Sequence, residues 1–162
     1  MNLPVKFEDV ENKIIPLREH NVMLDSDVAA LYGVTTKEIN QAVKNNPDKF
    51  PQGYIFPLTT DEKTEVVKNF DHLDKLRFSP QLPKAFTEKG LYMLATIIKS
   101  KRATQTTLAI VETFTRIRHL ARNMKALSNV KDEKQKQNLL QKSGELIAEI
   151  LDDDLKASET ET

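Results

Sequence analysis

Residues 25–45 carry two helix signals separated by a single glycine, and this pairing constrains the fold more than any other feature. Asp25 and Ser26 are residue types that cap the start of a helix, which would run to about Tyr32. Gly33 then suits the left-handed conformation in which many helices end. The sequence therefore predicts a short helix and a tight turn, with the chain continuing directly beyond it.

The second helix is predicted to begin at once, because Thr35 and Glu38 have the spacing of a capping box. It should run to about Asn45, since the prolines that follow cannot continue it. Small and apolar residues stand where two crossing helices must touch, at Ala29, Gly33 and Ile39. These features together predict a helix-turn-helix.

The outer face of the second helix has side chains that suit base recognition. Residues at i, i+3, i+4 and i+7 form one polar stripe, Lys37, Asn40, Gln41 and Lys44. Asn and Gln can make paired hydrogen bonds to adenine, and Lys can reach guanine or phosphate. The DNA contacts predicted in this segment are Thr35, Thr36, Lys37, Asn40, Gln41, Lys44 and Asn45. The alternative is an ordinary helical hairpin with a solvated polar face.

Charge is segregated along the chain, although the formal net charge is zero. Residues 84–125 hold nine positive and two negative side chains, whereas residues 126–162 are net −4 and residues 1–83 are net −3. Such a basic segment can supply the salt-dependent phosphate contacts that an acidic first half cannot. We expect these phosphate contacts at Lys99, Lys101 and Arg102. The alternative is that the charges of these residues serve only solubility.

The remaining pattern predicts a mainly helical α+β fold, in which a helix-turn-helix domain with a small β-sheet precedes a long helix and a helical C-terminal tail. Strands are expected at 14–17, 22–24 and 54–56, and further helices at 60–69, 88–99, 103–127 and 139–155. Residues 70–84 are expected to be a mobile loop, 128–137 a polar break, and 157–162 disordered. The predicted domains are an N-terminal extension (1–13), a DNA-binding domain (14–125) and an acidic helical tail (126–162).

Other function classes find little support in the sequence. The chain has no cysteine, so it can form neither a disulfide nor a thiolate metal site. No apolar run approaches the ~20 residues that span a bilayer. His20, His72 and His119 lie far apart, and there is no phosphate-binding glycine loop or nucleophile motif. We expect a cytoplasmic protein that is not an enzyme, has no cofactor or metal, and does not bind membranes.

Two strings in the sequence resemble a known family. LDSDVAALYGVTTKEINQAVKNNPDKFPQGYIFPLT (the first string) and AFTEKGLYMLATIIKSKRA (the second string) are similar to the phage-type ORF-six-N domain, a relative of the KilA-N and Bro-N domains. The similarity covers roughly residues 14–124. In the first string it rests on Asp25, Leu31, Tyr32, Gly33, Val34, Thr36, Asn40, Val43, Lys44, Asn46, Phe50 and Pro51. In the second it rests on Thr87, Glu88, Gly90, Met93, Leu94, Ser100, Arg102 and Ala103.

This resemblance implies a DNA-binding module of phage and prophage regulators and antirepressors. The expected function is therefore a transcriptional regulator of phage or mobile-element type that binds double-stranded DNA. A homodimer would suit it, because two half-sites one helical turn apart match a twofold axis. The alternative is an antirepressor-like module that binds a repressor-type protein through the apolar stripes at 108–124 and 139–155.

Overall fold

The computed structural model describes residues 5–129 and 133–160. In chain order, the helices are α1 (Phe7–Glu11), α2 (Asp25–Tyr32), α3 (Thr36–Asn45), α4 (Thr60–Asn69), α5 (Glu88–Leu94), α6 (Lys101–Asn129) and α7 (Glu133–Thr160). The strands are β1 (Ile15–Leu17), β2 (His20–Leu24), β3 (Ile55–Pro57) and β4 (Lys84–Phe86), and two 3₁₀ helices lie at Pro47–Lys49 and Asp71–Leu76. The predicted mainly helical α+β class is confirmed.

The chain divides into two compact units. One is Asn12–Thr104, and the other combines the described residues of Met1–Glu11 and of Gln105–Thr162. The boundary that we predicted near Lys125 lies inside α6, whereas the units part at Gln105. A continuous helix leaves no signal in the sequence where one compact unit ends and the next begins.

All four strands form one antiparallel sheet in the unit Asn12–Thr104. Its order is β1-β2-β4-β3, and Phe86 of the central β4 pairs with Met23 on one side and Ile55 on the other. The strands predicted at 14–17 and 22–24 are present as β1 and β2, which pair as a hairpin with Arg18 and Glu19 at positive φ (51° and 64°) in its turn. Positive φ at both central turn residues matches the twist of the paired strands.

One face of this sheet is covered by α4 and the 3₁₀ helix Asp71–Leu76. The buried side chains that meet there are Ile15, Val22, Leu24, Leu58, Val66, Leu73 and Ala85. Leu73 is fully buried, so it anchors a segment that we had expected to be a mobile loop. That expectation for residues 70–84 is corrected: the segment contains the 3₁₀ helix and ends in the first residue of β4.

The predicted helix-turn-helix is present as α2 and α3, and α2 also packs against β2 and β4. Gly33 ends α2 in the left-handed region, with φ 72° and ψ 32°. The capping box at α3 is confirmed: the Glu38 amide donates to Thr35 Oγ1 at 3.1 Å, and the Thr35 amide donates to Glu38 Oε2 at 2.7 Å. The predicted cap of α2 is wrong, because the extended strand residue Leu24 occupies the N-cap and no side chain caps it.

A buried carboxylate connects α2 to the 3₁₀ helix Asp71–Leu76. Asp27 is only 2% exposed, and its Oδ2 lies 3.1 Å from Nε2 of His72. Burial raises the pKa of Asp27, while His72, Lys13 and Lys75 act in the opposite direction. The contact therefore positions the first helix of the helix-turn-helix against the segment that follows α4.

A second ionic contact joins the β1–β2 turn to the start of α4. Arg18 donates from Nε to Glu62 Oε2 at 2.8 Å and from Nη2 to Glu62 Oε1 at 2.7 Å, while its guanidinium carbon lies 4.2 Å from the Phe56 ring centroid. The Thr59 amide also donates to Glu62 Oε1. These donors, Arg18 first and then Thr59, lower the pKa of Glu62 to about 2.

Glu62→Gln is expected to lower stability at neutral pH and to have little effect near pH 2. The folded chain holds the Glu62 proton less tightly than the unfolded chain does. The stabilisation by the ionised Glu62 carboxylate is therefore present above the ordinary pKa of 4.5 and is lost as the pH falls towards about 2. Urea midpoints of the wild type and the variant, compared across this range, should converge on the acid side. A difference that stays constant with pH would contradict the role of the ionised carboxylate.

Helix α5 begins against the backbone that leads into β3. The hydroxyl of Thr87, its N-cap residue, donates to the carbonyls of Gly53 (2.9 Å) and Tyr54 (3.1 Å). An added Cβ at Gly90 would lie 2.0 Å from the Tyr54 carbonyl oxygen, so α5 approaches this backbone more closely than any side chain would permit. The helix ends at Leu94 rather than at the predicted Lys99, because the next residues make tighter turns such as Ile97 N–H to Leu94 O.

The other unit consists of α1, most of α6, and α7, and α1 contacts α7 within it. Residues 130–132 of the predicted polar break lie outside the described residues, but helix occupies the rest of it. α7 continues to Thr160, so residues 157–160 of the predicted disordered end are helical. Residues 161 and 162 lie outside the described residues. Among the described helices, none is long and apolar enough to cross a membrane.

Candidate nucleic-acid interface

Helix α3 has one buried side and one polar side. Ile39 is fully buried, whereas Lys37, Gln41 and Lys44 are exposed. Its register is set locally, because the capping box fixes the first turn and Gly33 fixes the direction in which the chain enters. Three long side chains with hydrogen-bond donors are thus held on one rigid, solvent-facing stripe.

This stripe forms one wall of a cleft of about 590 Å³. From α2 and α3, the lining residues are Asp25, Thr36, Lys37, Asn40, Gln41 and Lys44; from the segment leading into β4 they are Gln81, Leu82 and Lys84. Five of the predicted contact residues therefore share one surface. Thr35 and Asn45 are not part of this lining; Thr35 serves as the cap of α3, and Asn45 Oδ1 accepts a hydrogen bond from Gln41 Nε2 at 2.9 Å.

Asn40 faces inward, unlike its neighbours on the stripe. Its Nδ2 donates to Asp25 Oδ2 at 3.1 Å, and its Oδ1 is buried without a hydrogen-bond partner among the described residues. Paired hydrogen bonds to adenine need both amide atoms at the surface. In this conformation Asn40 therefore holds α3 against the start of α2, and does not present its amide to a base.

Arg102 also has a partner within the fold. Its Nε donates to the Leu31 carbonyl at 3.1 Å and its Nη2 to the Ala30 carbonyl at 3.3 Å. These carbonyls lie in the last turn of α2, where a cation is favourably placed. Lys99 and Lys101 are exposed, but neither lines the cleft beside α3. The predicted phosphate-binding cluster is thus separate from the cleft, and its arginine stabilises a helix end.

The family model for the ORF6N domain matches residues 12–97, more than half of the chain. The chain belongs to the ORF6N domain family. The predicted resemblance is thereby confirmed, and membership supports a phage-type regulatory class. The match falls within the compact unit Asn12–Thr104 and ends before Lys99, so the ORF6N domain includes α3 but not the predicted phosphate-binding cluster. No curated protein and no solved structure matches the chain.

Several residues of the two strings have structural explanations in this ORF6N domain. Gly33 has the left-handed turn conformation, Thr87 caps α5, and Gly90 allows the close approach to Tyr54. The strings therefore specify packing at least as much as they specify a binding surface. Within residues 5–129 and 133–160, no group of three His, Asp or Glu side chains is arranged to hold a metal ion.

Sequence reasoning missed the second wall of the cleft in this ORF6N domain. Gln81, Leu82 and Lys84 fell in the stretch that we had expected to be a mobile loop. The one available signal was Lys84, which is the first cation of the basic segment 84–125. The proximity of Lys84 to α3 depends on the pairing of β4 with β2, and no local sequence pattern predicts this pairing.

Proposed function

We propose that this ORF6N domain binds double-stranded DNA through α3, and that the protein is a transcriptional regulator of phage or mobile-element type. The observation that supports this best is the exposed stripe of Lys37, Gln41 and Lys44 on the second helix of a helix-turn-helix. In such motifs the second helix enters the major groove, and these side chains are of the types that read bases and bind phosphates.

The exposed side chains of α3 take different roles in this proposal. Gln41 contacts a base edge, because its amide is at the surface and bonded only to the neighbouring exposed Asn45 among the contacts described. Lys37 and Lys44 bind guanine or phosphate. Asn40 and Arg102 act as positioning residues through Asp25 and the end of α2, while Lys99 and Lys101 add phosphate contacts.

Selection of DNA from a random pool at two salt concentrations tests this function. Gln41→Ala is expected to relax preference at one base position, at a cost of roughly 1–3 kcal/mol on the selected site. Lys37→Ala and Lys44→Ala should weaken binding, and any lysine that binds a phosphate should flatten the salt dependence by about one unit when removed. Lys68→Ala removes an exposed lysine on α4, away from this cleft, and is the matched control.

The selection can also contradict the proposal. If the wild type enriches no sequence, or if the three α3 variants bind as tightly as the Lys68 control, α3 is not a recognition helix. Equal unfolding midpoints for the variants and the wild type would establish that any loss of binding comes from lost contacts.

An antirepressor-like interaction module is the second candidate. It is favoured by apolar side chains that remain exposed on α6 and α7, namely Leu108, Met124, Leu140, Ile147 and Leu151. On α7 three of them lie at i, i+7 and i+11, which places them along one side of the helix. Binding of a repressor protein that is abolished by Ile147→Glu, with no enrichment of DNA, would favour this function over DNA recognition.

A further inference from the structure

Residues 81–84, hereafter the 81–84 segment, lie opposite α3 and are held at both ends by the fold. The Lys63 side-chain ammonium donates to the Ser79 carbonyl, and the Leu58 amide donates to the Pro83 carbonyl at 2.9 Å. Lys84 is then paired with Pro57 in the sheet. A loop fixed on both sides in this way presents its side chains in a constant position, which lowers the entropy cost of binding.

The charge around this segment favours an anion. Of the residues that line the cleft, Lys37, Lys44 and Lys84 are cationic and Asp25 is the one carboxylate. Asp25 is only 6% exposed, and its oxygens already accept hydrogen bonds from the Ser26 amide and from Asn40. An anion entering the cleft would therefore meet lysines from both walls and little opposing charge.

The size and position of the cleft indicate which kind of anion would bind there. A cleft of about 590 Å³ is far too small for a duplex, but it can take the edge of one sugar–phosphate strand. The major groove is about 12 Å wide, so a helix that lies in it has a phosphate backbone along each side. An element that stands beside α3 across a cleft is therefore placed to meet one of these backbones rather than the base edges.

We propose that the 81–84 segment is a second DNA-contacting element, in which Lys84 binds a backbone phosphate and the Gln81 amide donates a hydrogen bond to the same strand. The proposal rests on the function proposed above and extends the interface beyond the helix-turn-helix. Half or more of protein–DNA hydrogen bonds go to phosphate and sugar, and they position the protein without reading sequence. The 81–84 segment thus sets how α3 is placed in the groove.

Lys84→Gln, which keeps a long side chain but removes the charge, is the direct test. Affinity should fall on every sequence, and the slope of log K against log salt should become shallower by about 0.9, the value for one phosphate. Consequently the ratio of wild-type to variant affinity should be roughly threefold larger at 50 mM than at 200 mM salt. Lys84→Arg should retain the wild-type slope, and Lys68→Gln, the matched control, should leave it unchanged.

Gln81→Ala provides an independent measurement on an exposed side chain that is not part of the sheet. It should weaken binding on selected and random DNA alike, with the salt slope and the selected sequence unchanged. If Lys84→Gln and Gln81→Ala both bind as the wild type does, while the α3 variants lose affinity, the 81–84 segment is not a DNA contact and only this inference fails. If the wild type binds no DNA at all, both proposals fail.

Discussion

Replacing Gly90 by alanine is expected to destabilise the protein by about 3 kcal/mol or more, the upper end for an over-packed site. The new Cβ would lie 2.0 Å from the Tyr54 carbonyl oxygen and 3.0 Å from its carbonyl carbon. This oxygen cannot move away at low cost, because it accepts hydrogen bonds from both the amide and the hydroxyl of Thr87 at 3.1 Å. The clash is therefore between the Tyr54 backbone and helix α5, and neither can move as easily as a flexible side chain.

Denaturant unfolding of Gly90→Ala measures this effect, and Gly144→Ala is the matched control. An added Cβ at Gly144 meets no atom within 4 Å, and the residue lies in α7. Alanine is a better helix former than glycine, so the control should gain up to about 1 kcal/mol. The same substitution is thus predicted to have opposite signs at two glycines. A wild-type midpoint for Gly90→Ala would mean that α5 does not approach Tyr54 as closely as described.

Gly33→Ala is expected to cost about 2–3 kcal/mol, for two separate reasons. A left-handed residue with a Cβ loses roughly 1–2 kcal/mol relative to the right-handed conformation, and φ is 72° at this position. In addition, the new methyl group would lie 2.7 Å from Nε and 2.9 Å from Cδ of Arg102. The second cost involves a side chain that can move, but moving it breaks the hydrogen bonds to Ala30 and Leu31.

A double-mutant cycle separates these two costs. Arg102→Ala alone should destabilise the fold by roughly 1–3 kcal/mol, because two carbonyls lose a charged donor. The double variant should lose roughly 1 kcal/mol less unfolding free energy than the sum of the two single-variant losses, because alanine at position 33 already displaces the guanidinium. Fully additive losses would show that the two residues do not interact. Unchanged stability of Arg102→Ala with a shallower salt slope of DNA binding would instead assign Arg102 to a phosphate.

The elements that could be predicted are those whose boundaries are set by nearby residues. Helix α4 begins where expected, because Thr59 and Glu62 form a capping box through contacts only three residues apart, and it ends at the predicted Asn69. The same applies to α3. Strand β4 could not be predicted, since Lys-Ala-Phe is too short to alternate and contains no β-branched residue. It is a strand because β2 and β3 supply hydrogen-bonding partners on both of its sides.

The candidate site follows the same division between local and distant causes. Helical periodicity was enough to place Lys37, Gln41 and Lys44 on one exposed stripe. Asn40 has the same periodicity, but the carboxylate of Asp25, fifteen residues earlier, turns its amide inward. Arg102 is engaged by carbonyls seventy-one and seventy-two residues away. Such partners are chosen by the tertiary fold, and no spacing within a single helix reveals them.

The contact between Gly90 and Tyr54 has a consequence for how this domain can diversify. Tyr54 belongs to the first string and Gly90 to the second, so the carbonyl of one fills the space that a side chain of the other would need. Any sequence that adopts this fold must therefore keep the two strings compatible at this contact. A chimaera that takes one string from another ORF6N domain should fold only where the new string leaves the same space between the Tyr54 carbonyl and the backbone of Gly90.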